Sequence, residues 1–187
     1  NDISRCLECI TEEATAQAID LYYDQLVSTD RKTQGALNKC QRAIGKGAVK
    51  FATVKSKALA RCWSAVNRGA ATAPCPLPGD GRAFGAIQKA ETALAKSLCA
   101  ACGGHDRECD DAVTMPSGST IAGSGGSDDL ATSGIGFAST CDSVTVPGGT
   151  ACEGPVTTLA ELVECVSCVT EFSVDCMDLS AAQSFAD

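Results

Sequence analysis

The sequence has few aromatic residues, no catalytic motif and no long apolar run. Aromatic side chains make up 4% of the 187 residues, so we do not expect a core built on large rings. No run of about 18 apolar residues occurs, so we expect no membrane-spanning helix. One histidine, no Gly-rich phosphate loop, no nucleophile elbow and no paired-carboxylate signature indicate that the protein is not an enzyme.

Lysine and arginine are also absent from residues 108–187, which carry thirteen acids. Residues 31–107 carry fourteen basic residues and three acids (14 − 3 = +11), and residues 1–30 carry one basic residue and seven acids (1 − 7 = −6). With −13 from the last segment, the sum is −8. Either the acidic ends fold onto the basic middle of the same chain, or separate molecules attract each other head to tail. Net acidity and the lack of interleaved aromatic residues disfavour nucleic-acid binding.

Alanine, glycine and 13 cysteines take the place of large apolar residues. This composition favours helices that pack closely through alanine and are held by disulfides, which persist in secreted proteins. We predict a mainly α fold, one domain over 1–187: a disulfide-stapled bundle of about four helices. Residues 103–156 form a long Gly/Ser/Thr-rich loop or small β module inserted before the last helix. Asn1 is an unusual first residue, so we expect a processed N-terminus and a secreted protein, extracellular or at the cell surface.

Residues 31–69 are predicted to form one long basic amphipathic helix with two stripes of period 3.6. The apolar stripe consists of Leu37, Cys40, Ile44, Ala48, Phe51, Val54, Ala58 and Cys62. The basic stripe consists of Lys39, Arg42, Lys46, Lys50, Lys57 and Arg61. Gly45 and Gly47 each weaken the helix by about 1 kcal/mol relative to alanine, but neither stripe changes phase across them.

Three further helices are predicted from apolar periodicity, at 2–28, 82–102 and 157–185. Ser28, Thr29 and Asp30 form a turn that can cap the long helix. A linker with three prolines around Cys75 separates the second and third helices. Within the insertion, β-prone pieces occur at 134–140 and 143–147, and Pro147-Gly148-Gly149 forms a turn.

The cysteines are predicted to form structural disulfides. Cys40 and Cys62 are 22 positions apart, about 33 Å along one helix. A disulfide needs Cα atoms within about 7 Å, so these two cannot pair with each other. Antiparallel packing of the third helix on the long one predicts the bond Cys62–Cys75. It also predicts a bond from Cys40 to one of Cys99, Cys102 and Cys109, with the other two joined locally.

The remaining cysteines are assigned from their positions on either side of a segment and from a repeated sequence motif. Cys141 and Cys152 bracket the β-prone segment, so we expect them to pair. The motif Cys-x-x-Cys followed by a β-branched residue, Thr and Glu occurs near both ends of the chain. This repeat predicts that Cys6 and Cys9 of the first helix face Cys165 and Cys168 of the last helix. The two disulfides would form a double rung between these helices. Thirteen is an odd number, and Cys176 is the candidate for a buried thiol or for a bridge to another subunit.

Metal binding is an alternative use of some of these residues. Cys99, Cys102, His105 and Cys109 form a C-x2-C-x2-H-x3-C run, but its spacing matches no standard zinc module. The pairs Asp110-Asp111 and Asp128-Asp129 are candidates for weak Ca²⁺ binding, although no EF-hand spacing occurs. We therefore predict no metal site and no cofactor.

Four motifs stand out along the chain. They are the spaced Lys/Cys pattern from Cys40 to Val66, the Pro74-Cys75-Pro76 turn, the run from Cys102 to Cys109, and the terminal Leu162-x-x-Cys165-x-x-Cys168 element. Together they resemble the cysteine-rich helical segments of secreted bacterial surface proteins. The resemblance implies export, disulfides and tandem use on cell-surface proteins, and it brings no known activity.

Two functional hypotheses follow. The first is a secreted extracellular structural or assembly protein, such as a filament or surface-layer subunit, that self-associates head to tail. The alternative is a secreted helical binding module for an anionic polymer, bound on the basic stripe, or for a small apolar ligand.

Overall fold

The computed structural model describes residues 16, 18–23, 34–146 and 151–182. These residues confirm the predicted fold class, a mainly helical and disulfide-stapled chain with a small β module before its last helix. In chain order the elements are α1 (residues 16 and 18–23), α2 (Gly35–Asn67), α3 (Ala83–Cys102), β1 (Val113–Thr114), β2 (Thr120–Ile121), α4 (Thr132–Ile135), β3 (Thr140–Thr145), β4 (Ala151–Pro155) and α5 (Leu159–Ala182).

Helix α2 lies within the predicted span 31–69 and continues through Gly45 and Gly47. Six members of the apolar stripe are buried, and the other two, Leu37 and Val54, are half-buried. The helix ends where Gly69 adopts a left-handed conformation with φ of 70°. Its amide donates to the Val66 carbonyl oxygen at 2.8 Å, which satisfies an acceptor that the helix leaves open. A glycine is favoured there because it has no Cβ to clash in that conformation.

Helix α3 packs antiparallel on α2. A Cys40–Cys102 disulfide joins the start of α2 to the end of α3. Between these ends, Leu94 and Leu98 lie against Gly47, where a Cβ would come within 2.6 Å of the Leu94 Cδ1 atom. The small residue therefore lets the two helices approach each other closely.

Helix α5 covers the hairpin of α2 and α3 and completes the core. It begins at Leu159, where the Thr158 hydroxyl oxygen accepts the amide of Glu161 and the Glu161 carboxylate accepts the amides of Thr157 and Thr158. This reciprocal capping box stabilises the first turn. Its buried face includes apolar residues at helical spacing, which are Leu159, Leu162, Val163, Val166 and Val169.

The described part of α1 contacts the same core from the other side. The Tyr22 ring stacks on Phe137 with ring centroids 5.9 Å apart, and its hydroxyl lies 3.1 Å from the Thr170 Oγ1 atom. Because this phenol is buried, its pKa is raised to about 12. The other predictions for residues 1–15 and 24–33, including the turn from Ser28 to Asp30, lie outside the described residues.

The β module consists of two antiparallel pairs. β1 pairs with β2, and β3 pairs with β4 through a bulge between Cys141 and Val144. The prediction of a β piece over 134–140 is wrong for its first residues, because α4 extends to Ile135 and Gly136 then turns the chain. The predicted turn at Pro147 lies outside the described residues.

Five disulfides connect these elements. Cys62–Cys75 is present as predicted, Cys40 pairs with Cys102, and the remaining two of that trio pair locally as Cys99–Cys109. Each bond lies where two antiparallel helices or an adjacent loop bring the Cα atoms together.

The predicted Cys141–Cys152 bond is wrong. The bulge places Cys141 opposite Gly154 and Cys152 opposite Val144, so the two cysteines are offset along the hairpin. Helix α5 crosses this hairpin and presents two cysteines one turn apart, which form the bonds Cys141–Cys165 and Cys152–Cys168.

These two bonds also make the predicted double rung between the first and last helices wrong. Cys165 and Cys168 already have partners in the β module, and Cys6 and Cys9 lie outside the described residues. The five disulfides do not include Cys176, which lies half-buried on α5.

Candidate functional site

The predicted basic stripe lies on the outer face of α2. All six side chains are exposed, and they are Lys39, Arg42, Lys46, Lys50, Lys57 and Arg61. None of them forms an ion pair with an acid among the described residues. Lys39 instead donates from its Nζ atom to the Ala100 carbonyl oxygen at 3.2 Å. The stripe is therefore a cationic surface that the described acids do not neutralise.

Beyond the stripe, the structure forms an open groove between the C-terminal part of α2 and the start of α3. We define the basic groove by its four cations, Lys57, Arg61, Arg68 and Arg82. Its volume is about 630 Å³, and small residues such as Ala58 and Ala83 line its walls. Sequence analysis found Lys57 and Arg61 by their period but missed Arg68 and Arg82, because only the turn between the helices brings them to the same place.

Among the described residues that line the basic groove, the one acid is Asp80, and it caps a helix. The Asp80 carboxylate accepts the amides of Arg82 and Ala83, at 2.9 and 2.8 Å, and so caps the first turn of α3. These backbone hydrogen bonds hold the pKa of Asp80 below its ordinary value. Close by, the Cys62–Cys75 disulfide fixes the turn against α2. The groove is thus rigid and keeps an excess of positive charge.

An acidic surface lies at the opposite end of α3. Carboxylate oxygens of Asp106, Asp110 and Asp128 lie within 4.8 Å of one another. We define the acidic loop as these three residues together with Glu108 and Asp111, which are exposed and adjacent in the chain. The sequence singled out Asp110, Asp111 and Asp128 but not Asp106, which the chain reversal after α3 adds to the group.

Backbone hydrogen bonds hold the acidic loop in place. Asp128 accepts the amide of His105, which keeps the pKa of Asp128 below its ordinary value. Asp110 and Asp129 exchange two bonds, each accepting the other's amide at 3.0 Å. The pKa of the Asp129 carboxyl is raised, first by burial and further by the nearby charges of Asp110 and Asp128. The carboxylates therefore repel one another in a fixed arrangement.

Metal ligation is chemically open to this loop but is not assigned to it. Three carboxylates are a suitable donor set for a hard cation such as Ca²⁺, yet exposed acidic groups are common without an ion. The zinc alternative fails for a direct reason. Cys99, Cys102 and Cys109 are all oxidised in disulfides, so they offer no thiolate beside His105.

A second set of charged groups is buried between the helices. The Lys55 ammonium lies 2.5 Å from Glu171 and 2.8 Å from Asp175, and only 2% of its side chain is exposed. Nearby, the fully buried Glu91 accepts hydrogen bonds from the Ser117 hydroxyl and, at 3.5 Å, from the Ser167 hydroxyl. These ion pairs and hydrogen bonds join α2, α3 and α5 across the core, so we interpret the network as structural.

Sequence analysis missed Lys55 as a core residue. The helical spacing of Lys55 indicated its burial. Lys55 follows Phe51 by four positions and precedes Ala58 by three, which places it on the apolar stripe. A lysine on that stripe must bury its ammonium group, and it therefore requires acids from a facing helix. The same helix, α5, supplies Asp178, which accepts the Trp63 indole N–H at 2.9 Å.

Helices α1, α2 and α5 also surround an apolar cavity of about 410 Å³. Its lining includes Tyr22, Tyr23, Ala48, Val49 and Met177. Val49 is 69% exposed, so the cavity opens on the side of α2 away from α3. The small apolar ligand of the alternative hypothesis would bind in this cavity.

Comparison with protein-family models, with curated proteins and with solved structures gives no match for this chain. Within the described residues, no helix is both long enough and apolar enough to cross a lipid bilayer. The arrangement of charge and disulfides is therefore the basis on which a function can be proposed.

Proposed function

We propose that this chain is a secreted extracellular structural protein that self-associates head to tail, as a subunit of a filament or a surface layer. The observation that carries the proposal is the placement of the basic groove and the acidic loop at opposite ends of α3. Two different surfaces that attract each other form a heterologous contact, which repeats along a chain of subunits.

Distance keeps these two ends from neutralising each other within one molecule. Helix α3 has 20 residues, and at 1.5 Å per residue it spans about 30 Å. The Debye length at physiological ionic strength is about 8 Å, so the attraction within a molecule is largely screened. The same charges interact strongly when two molecules bring them into contact.

Disulfides support both the rigidity and the location. Cys40–Cys102 and Cys99–Cys109 lie near the acidic end, and Cys62–Cys75 lies at the basic end. A subunit whose two ends are pinned in this way loses little conformational entropy when it associates. Stable disulfides of this number also favour an oxidising, extracellular compartment.

The test is the dependence of the sedimentation coefficient on protein and salt concentration. At low salt we expect the weight-average mass to rise with protein concentration. Near 1 M salt, where the Debye length is about 3 Å, we expect it to return to that of the 19.0 kDa monomer. Negative-stain microscopy of the low-salt sample should show linear or layered assemblies. A protein that stays monomeric at high concentration in low salt would contradict the proposal.

A binding module for an anionic polymer is the second candidate, because the four cations of the basic groove are also suited to phosphate or sulfate groups. It predicts retention of the monomer on a polyanion matrix, with an affinity that falls steeply with salt. Failure to bind such a matrix at low salt would exclude this candidate and leave self-association.

The proposed head-to-tail contact does not include the predicted intersubunit bond through Cys176. Burial and the neighbouring Asp175 charge raise the pKa of its thiol, and a raised pKa lowers the reactive thiolate fraction. Cys176 as an intersubunit thiol therefore stays a prediction, which non-reducing electrophoresis can test.

A further inference from the structure

We infer that the basic groove is the receptor for the acidic loop of the next copy, with the guanidinium groups of Arg61, Arg68 and Arg82 binding its aspartate carboxylates. This inference rests on the proposed head-to-tail association and names the two surfaces that would meet.

The cations of the groove are mostly guanidinium groups, which suit carboxylates better than other cations do. Three of its four cations are arginines, whose planar fork of N–H donors matches a carboxylate with two parallel hydrogen bonds. Arginine is also enriched in the cores of protein interfaces. Alanines between the arginines leave space for an inserted loop, and the volume of about 630 Å³ lies within the range of ordinary binding sites.

An incoming carboxylate would meet little competition inside the groove. Asp80, its one acid, already accepts the amides of Arg82 and Ala83. The groove also opens at the N-terminal end of α3, where the helix dipole adds partial positive charge. Both effects increase the attraction for an acidic partner.

The acidic loop of the facing molecule is exposed, and its own bonds hold it in place. Asp106, Glu108, Asp111 and Asp128 are exposed, while the Cys99–Cys109 disulfide fixes the loop to the end of α3. The paired bonds between Asp110 and Asp129 hold the loop before binding, which reduces the entropy cost of association. Because these crowded carboxylates repel one another, cations from a partner would lower their electrostatic energy.

Charge complementarity favours a second copy as the occupant of the groove. The groove presents four cations, and the acidic loop presents five carboxyl groups. A second copy also supplies that loop at the protein's own concentration. The groove and the loop differ, so the contact is heterologous and leaves one free surface at each end.

The test reverses the charge of each surface. The groove variant is Arg61→Glu/Arg68→Glu/Arg82→Glu, and the loop variant is Asp106→Lys/Glu108→Lys/Asp111→Lys. All six positions are exposed, so we expect both variants to fold. A matched control, Arg42→Glu/Lys46→Glu/Lys50→Glu, changes the net charge as much as the groove variant does, on α2 but outside the groove.

We expect each of the two test variants alone to weaken association by about tenfold or more, because close like charges replace opposite ones. An equimolar mixture of the two should recover association, since every groove then faces a loop of opposite charge. The control should stay within about threefold of the wild type. Circular dichroism and the unfolding midpoint check folding, and the milder Arg61→Gln/Arg68→Gln/Arg82→Gln variant repeats the test without repulsion.

The outcomes separate this inference from the proposed function. If the wild type associates and the groove variants associate equally well, the inference is wrong and the proposed function stands. The same holds if the control loses association as fully as the groove variant. A wild type that stays monomeric overturns both, and groove-dependent binding of dextran sulfate by that monomer would assign the groove to a polyanion.

Discussion

The ammonium group of Lys55 lies 2.5 Å from the carboxylate of Glu171, although 116 positions separate the two residues in the chain. Asp175 lies one turn further along α5 and contacts the same ammonium at 2.8 Å. This contact fixes how α5 lies across α2, since the lysine can bury its charge only where both acids face it.

Replacing Lys55 with methionine should destabilise the protein by about 3 kcal/mol, because two largely buried carboxylates lose their cation. Urea unfolding of the oxidised protein measures the loss. Lys50→Met, an exposed position on the same helix, is the control and should change the stability by less than about 0.5 kcal/mol. The variant Lys55→Met/Glu171→Gln/Asp175→Asn should recover much of the loss. Equal effects of Lys55→Met and Lys50→Met would contradict the interpretation.

Glu91 should make the stability fall as the pH rises. Burial raises the pKa of its carboxyl above the ordinary value of 4.5, and the Glu171 charge raises it further, while the Ser117 hydrogen bond opposes the shift. The unfolded chain releases this proton near pH 4.5, but the folded chain keeps it to higher pH. In that window each pH unit lowers the free energy of unfolding by up to about 1.4 kcal/mol.

The variant Glu91→Gln removes this dependence. Its stability relative to the wild type should therefore rise above pH 4.5 and level off above the folded-state pKa. Glu161→Gln provides a control of opposite sign, because hydrogen bonds from Thr157 lower the pKa of Glu161 and its contribution is lost as the pH falls. Parallel pH profiles of the two variants would show that the burial of Glu91 is not the cause.

Gly47 should resist substitution by alanine, and Gly85 should accept it. A Cβ at Gly47 would come within 2.6 Å of Leu94 and 2.9 Å of Leu98, both buried, whereas nothing lies within 4 Å at Gly85. Overpacking costs about 1–3 kcal/mol, so Gly47→Ala should lower stability despite the gain in helix propensity. Gly85→Ala should raise it by about 0.5 kcal/mol. Thermal unfolding at one pH compares the two, and identical shifts would refute the close approach of α2 and α3.

The disulfides of the β module can be checked by mass spectrometry without reduction. Trypsin cannot cut after residue 107, so an acid-specific protease is needed. Cleavage at Asp and Glu releases peptides 130–142, 143–153 and 165–171, which carry one, one and two cysteines. The structure predicts that all three peptides remain linked as one species. A two-peptide species that joins only Cys141 and Cys152 would contradict it.

Periodicity was sufficient to place the helices and much of their buried surface. Apart from the half-buried Val54, the stripe from Cys40 to Cys62 is buried as its 3.6-residue spacing predicts, and the antiparallel hairpin follows from the linker after it. The rise of 1.5 Å per residue then decides which cysteines can meet, so Cys62–Cys75 and the bonds of the trio could be predicted.

Contacts between distant segments could not be predicted in the same way. The partners of Cys141 and Cys152 depend on where α5 crosses the hairpin, which no local spacing encodes. Sequence propensity shows only that Gly45 and Gly47 weaken a helix, whereas the structure places the Tyr23 hydroxyl against Gly45 and Leu94 against Gly47. The basic groove likewise needs the turn that brings Arg82 beside Arg61.

The pairing of the ten oxidised cysteines divides the described chain into two covalent networks. Three bonds close within residues 40–109 and two within residues 141–168, and none of the five crosses from one network to the other. After a single peptide-bond cleavage between 110 and 140, none of the five described disulfides would join the two networks. Noncovalent contacts would remain between them, among them Lys55–Glu171 and Trp63–Asp178. As far as these five bonds are concerned, a denaturant could then separate the two networks without a reductant, whereas a cut between 147 and 150 would leave both strands of the hairpin covalently attached to α5.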